Sequence, residues 1–128
     1  MFIITAALYC PQAVVTLVTP TTSLSMYGVV FGPGAVYMAR WAGVGSLVIG
    51  LLAWFARDLA PSEGRRVVER TLLAYFVVAG VLSLSGVLSG EMSSTGWALV
   101  AINTLFVSAH GLVLAREPQR VTSAPAER

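Results

Sequence analysis

Lysine is missing altogether from this chain of 128 residues, and charge of either sign is scarce: eight basic residues, all arginine, and six acidic ones. Charged residues make up 11% of the sequence, against roughly 25% in a soluble domain. With so few charges most of the surface must face lipid, and the mean hydropathy of +0.79 agrees. The net charge of +2 is too small and too dispersed for a nucleic-acid footprint. A single cysteine excludes an internal disulfide. Cys10 lies in an apolar run and reads as a small buried hydrophobe. A single histidine, with no second histidine or carboxylate expected at mid-depth, argues against a metal site or a proton relay. No basic stretch precedes the first apolar run, and Tyr9 rather than a small residue precedes Cys10. That run is therefore expected to persist as a helix rather than to be cleaved. No catalytic constellation stands out, so neither an enzyme nor a cofactor is expected.

What the chain does have is four long apolar runs. A spanning helix needs about 20 mainly apolar residues to cross a core about 30 Å thick. The runs at about 2–18, 34–57, 65–89 and 96–115 meet or approach that length. The first is interrupted by Pro11, which membrane helices tolerate when neighbours re-satisfy the freed carbonyl. Short links at 58–64 and 89–95 imply antiparallel neighbours. Ser62, and Ser94 or Thr95, are placed to cap the helices that follow. The expected fold is all-α: an integral membrane antiparallel four-helix bundle spanning residues 1–115, followed by a flexible cytoplasmic tail at 116–128. After the first span, Thr19-Pro20 looks like an N-cap with proline at the first helical position. A short interfacial segment to about Tyr27 is expected, anchored by Leu24, Met26, Tyr27 and Phe31.

The arginines set the orientation. Arg57, Arg65, Arg66, Arg70, Arg116, Arg120 and Arg128 all fall on the side that carries both termini. The positive-inside rule places that side in the cytoplasm. Arg57, Arg65, Arg66, Arg70 and Arg116 would touch anionic headgroups, and Glu69 is placed to pair with Arg65 or Arg66 on its own helix. Trp41, Trp54 and Trp97 fall near span ends, as an aromatic belt does.

Small residues recur at coiled-coil spacing, which lets helices approach closely in lipid, where apolarity alone cannot drive association. The stripes are Ala6, Cys10, Ala13; Ala39, Gly43, Ser46, Gly50, Ala53; Ala79, Ser83, Gly86, Gly90; and Ala101, Thr104, Ser108, Gly111, Ala115. Four such stripes predict a tight bundle with little room for a cavity.

Three polar groups in the apolar runs are candidates for function. Arg40 lies inside the second run on the side away from the other arginines. It has three readings: snorkelling to lipid phosphate, an ion pair with Glu91, or a site for an anion or a partner. Asn103 and His110, seven apart on the last run, share one face. They read as a polar track for a proton, quinone or ligand, or as two interhelical hydrogen bonds.

The run Ala39-Arg40-Trp41-Ala42-Gly43, followed by Gly50 to Asp58 with its Trp54-Phe55-Ala56-Arg57, resembles a widespread group of small bacterial four-helix membrane proteins of unassigned function. Arg65-Arg66 opening the third helix and Gly96-Trp97 opening the fourth complete the likeness, which covers about residues 20–115. The resemblance implies a multi-pass protein of the bacterial inner membrane; it supports the architecture and adds no activity. The resulting expectation is a non-enzymatic accessory or scaffold subunit of a larger membrane assembly, or a self-associating module. Its partners would be membrane lipids and another protein or a second copy, with no nucleic acid. The alternatives are a lipid- or quinone-binding protein using Arg40 or the Asn103/His110 face, and a small oligomeric transporter.

Overall fold

Two antiparallel helical pairs, held to one another by side chains, make up the molecule. The computed structural model describes residues 1–28 and 32–116, with only the backbone of Pro33. Among these residues there are five helices: α1 (Phe2–Val18), α2 (Pro20–Met26), α3 (Pro33–Ala56), α4 (Glu63–Leu88) and α5 (Gly96–Arg116). The expectations for Phe31 and for the tail beyond Arg116, including Arg120 and Arg128, lie outside the described residues.

Each helix starts and stops for local reasons. α1 runs through Pro11 without a break. It ends at Thr19, whose backbone leaves the helical region (φ −127, ψ 64), and Pro20 then opens α2. The two helices meet at a bend of 113°. A hydrogen bond of 3.1 Å between the Thr16 and Ser23 hydroxyls braces that bend. The Thr19 hydroxyl donates to Val15 O rather than capping α2. Ser62 caps α4 as its position suggests, its Oγ accepting from the Arg65 amide. Gly90 follows α4 at φ +77, a left-handed conformation that glycine adopts without steric cost. Thr95 precedes α5, but its hydroxyl donates to Met26 O at 2.6 Å. With the Ser93 amide donating to Tyr27 O, that bond pins the end of α2 to the α4–α5 turn. Gly28 makes the seam possible, since its φ is +67 and a Cβ there would meet Ser93 Cβ at 2.6 Å.

Three helices, Gly34–Ala56, Glu63–Leu88 and Gly96–Arg116, are long and apolar enough to cross a membrane. α1 reaches that threshold only together with α2.

Within each pair the backbones are close because small residues allow it. A Cβ on Gly50 would lie 2.6 Å from Cys10 Sγ and 3.0 Å from Cys10 N. One on Gly43 would lie 3.0 Å from Leu17 Cγ. Ala39, Ser46 and Ala53 complete this buried stripe of α3, and Ala6 and Ala13 the facing stripe of α1. In the second pair Gly96 receives Val87, Gly86 receives Met92, and Gly80 lies against Asn103 Cβ.

The expected stripe on the last helix is not a contact surface. Thr104 and Ser108 are exposed, and no side chain or neighbouring backbone lies within 4 Å of a Cβ on Gly111. The buried face of α5 is Gly96, Asn103, Phe106 and His110. The reason is polarity. Thr104 and Ser108 satisfy their hydroxyls on the carbonyls of Val100 and Thr104, at 2.8 and 2.9 Å, so they can face outward alone. Asn103 and His110 cannot do so cheaply.

The two pairs meet differently. No Cα of α1 comes within 8 Å of a Cα of α4 or α5. Aromatic rings span the gap. Tyr9 of α1 makes edge contacts with Tyr75, Phe76 and Phe106 at centroid distances of 6.0, 5.5 and 6.0 Å, and Phe76 stacks on Phe106 at 4.6 Å. Such rings favour offset or edge-to-face contacts at these separations. They form one layer across the molecule and hold the pairs apart.

Candidate functional site

Polar groups buried between the pairs fall on two sides of that aromatic layer. Toward the arginine-rich end lie Thr5, Glu69 and His110, from α1, α4 and α5, all sealed from solvent at 0%, 1% and 0% exposure. His110 Nδ1 is hydrogen-bonded to Glu69 Oε2. His110 Nε2 lies 3.3 Å from Thr5 Oγ1, and the Thr5 hydroxyl donates to Met1 O at 3.3 Å. The two contacts are equally long and the hydroxyl has one hydrogen, so the ring tautomer decides whether Thr5 accepts from Nε2 or donates to it. The pairing matters because an unpaired ionisable group so deeply buried would be costly. The imidazole stacks on Phe76 and Phe106 at 5.4 and 6.2 Å and tilts against Phe2 at 6.4 Å.

This corrects two expectations. Glu69 turns to His110 rather than to the arginines of its own helix, and a second titratable group does share the buried region with His110. Residue spacing carried a signal for it. The α4 stripe continues from Ala79 toward the N-terminus as Phe76, Leu72 and Glu69, in steps of three and four. The α5 face runs Gly96, Leu99, Asn103, Phe106, His110 in the same rhythm.

On the other side of the aromatic layer is a cleft of about 310 Å³. Each long helix contributes to it: Tyr9 and Gln12 from α1, Ser46 from α3, Tyr75, Ala79 and Ser83 from α4, and Asn103 from α5, with Tyr27 after α2. The prediction of a bundle too tight for a cavity is therefore overturned. The small stripes close each pair internally, while the rings between pairs keep them apart. Leu8 and Ile102 also line the cleft and are 53% and 42% exposed. Its mouth thus opens sideways between α1 and α5. Asn103, 4% exposed, donates its Nδ2 to Leu99 O at 2.9 Å, and its Oδ1 is buried with no hydrogen-bond partner.

The structure does not bring Arg40 and Glu91 together. Both are exposed, and no ion pair joins them among the described residues. Ser93 and Thr95 of the 89–95 turn face the end of α2, whereas Arg40 is exposed on α3. At the opposite end Arg57 places its guanidinium 3.4 Å over the Trp54 ring and pairs with Asp58 at 3.0 Å. Arg65 donates to Leu59 O at 3.1 Å and lies 5.5 Å over the Phe2 ring. Arg66 is half-buried, and Arg70 and Arg116 are exposed. Among the described residues no group of three histidine, cysteine, aspartate or glutamate side chains is arranged to hold a metal ion. No protein-family model, curated protein or solved structure matches the chain.

Proposed function

We propose that the chain is a non-enzymatic four-span membrane protein that holds one small amphiphile, of lipid or quinone type, in the cleft between its helical pairs. The carrying observation is the cleft itself: a mostly apolar hollow of about 310 Å³ with a few polar side chains, whose mouth opens on an outward apolar surface. Ligand sites are commonly concave, mostly apolar and supplied with a few polar groups, and lie between helices in bundles. The volume stands at the lower end of the usual range of roughly 300–1,000 Å³. It suits one ring or one glycerol-sized head, with an acyl or prenyl tail left in the bilayer. Exposed Phe55, Leu105 and Leu88, at 72%, 68% and 71%, belong to the surface that lipid would cover.

α1 acts as the fourth span. It lies antiparallel along α3, with Cys10 at Gly50 and Leu17 at Gly43, so it shares the depth of a helix long enough to cross. The arginines gathered at one end support an orientation with both termini in the cytoplasm. Ligand binding takes precedence over a purely accessory role because the accessory role needs no hollow.

The test is purification in mild detergent and native mass spectrometry of everything retained. A near-stoichiometric apolar molecule is expected in the wild-type chain and absent from Ala79→Leu, which fills the cleft from α4. Absence of any retained molecule, with the chain folded and monodisperse, overturns the reading.

A further inference from the structure

The cleft holds polarity without charge. None of the side chains that line it carries a formal charge. Glu69 lies beyond the ring layer, paired with His110, while Arg40 and Glu91 are exposed. A carboxylate, phosphate or ammonium drawn into the cleft would have no counter-ion there, and an unpaired charge so placed is costly. Phenols supply much of the polarity. Tyr9 of α1, Tyr27 after α2 and Tyr75 of α4 all line the hollow, and the Tyr9 hydroxyl is within electrostatic range of the other two. Three hydroxyls that come from three elements, border one hollow and lie near one another converge on it. Tyr75 has Ser46 as a hydrogen-bond partner. The Tyr9 and Tyr27 hydroxyls have none among the described residues, and neither oxygen is sealed from contact.

We infer that the cleft selects amphiphiles with an uncharged, hydrogen-bond-accepting head, of ketone or quinone-carbonyl type, and excludes charged lipid heads, the Tyr9 and Tyr27 hydroxyls being the donors. The inference rests on the cleft reading above and narrows it. A phenol is a stronger donor than an aliphatic alcohol and a weaker acceptor, because its oxygen lone pair is delocalised into the ring. Each of these donors matches a carbonyl oxygen, which has two lone pairs and no hydrogen of its own. A hydroxyl left unmet in an apolar surround costs free energy, and a hydrocarbon tail does not recover it. Ser83 does not compete as a donor, since its hydroxyl is bonded to Ala79 O at 2.8 Å. A site with placed donors rejects an analogue lacking the acceptor more strongly than a merely apolar pocket could. Tail access is lateral, past Leu8 and Ile102.

The chain has four tyrosines. The fourth, Tyr37, is exposed on α3 outside the cleft and serves as an internal control. The full chain is labelled with ¹³C at the tyrosine Cζ, which reports on the hydroxyl, and placed in lipid nanodiscs at pH 8. It is titrated separately with 4-octylacetophenone, 4-octylbenzoate and octylbenzene, which share ring and tail. Single tyrosine-to-phenylalanine variants assign the signals. The ketone is expected to shift the Tyr9 and Tyr27 signals, to leave Tyr37 in place and to bind about tenfold more tightly than either of the others. Its advantage should shrink in Tyr9→Phe and in Tyr27→Phe, which keep the ring. Its binding should be lost in Ala79→Leu, or in Ser83→Leu should the first variant misfold. If the benzoate or octylbenzene binds as tightly as the ketone, and filling the cleft abolishes that binding, the head-group preference is wrong and the cleft reading stands. Binding of no probe, or binding indifferent to filling the cleft, overturns both.

Discussion

Glu69 and His110, 41 residues apart in sequence, are hydrogen-bonded to each other at the interface of α4 and α5, with both side chains sealed from solvent. Thr5 receives the other ring nitrogen from α1. One imidazole therefore ties the second helical pair internally and links it to the first.

Breaking that tie should be expensive. Removing one partner of a buried pair leaves the other uncompensated, at about 3–5 kcal/mol. Glu69→Leu and His110→Leu are each expected to lose about that much in equilibrium unfolding in detergent. The double variant should lose much less than the sum, since neither polar group is then stranded. Additive losses would show that the two residues do not act together.

The chain has one histidine, so its ring can be watched alone. ¹⁵N-histidine labelling should show both ring nitrogens hydrogen-bonded, Nδ1 to Glu69 and Nε2 to Thr5. Thr5→Val removes the Nε2 partner and should shift that resonance while the Nδ1 contact with Glu69 persists. An Nε2 resonance indifferent to Thr5→Val contradicts the contact.

Gly50 and Ser108 were equal members of small-residue stripes in the sequence, and they should behave oppositely. Gly50→Val meets Cys10 at its backbone nitrogen as well as its sulfur, and overpacking costs about 1–3 kcal/mol or more. Ser108→Ala removes only a hydroxyl bonded to its own helix and should stay within about 0.5 kcal/mol. Unfolding midpoints of the two variants in one detergent decide this.

Arg40 and Glu91 carry no mutual contact, so Arg40→Leu and Glu91→Gln should be additive within about 0.5 kcal/mol. A coupling energy well above that would place them in contact within the bilayer.

Phe76, 0% exposed, sits in the ring layer between the polar cluster and the cleft. Phe76→Ala is expected to cost about 3–5 kcal/mol. It should also loosen both compartments together, seen as changed His110 and Asn103 signals in the same sample. A change confined to one signal would mean that the layer does not separate and support both.

The sequence by itself determined the helices, since apolar length, Pro20, Ser62 and Gly90 act through local chemistry that needs no distant partner. It also marked the small-residue stripes of α1 and α3 as packing surfaces, but did not determine that these two helices would face each other. Tertiary structure alone decided which face of α5 turns inward. Two stripes competed there, one of small residues and one containing Asn103, Phe106 and His110. The second won because His110 has Glu69 to meet, while Thr104 and Ser108 bond to their own helix. Sequence distance hid that pairing, and with it the aromatic spacing that turns an expected tight bundle into two pairs with a cleft between them.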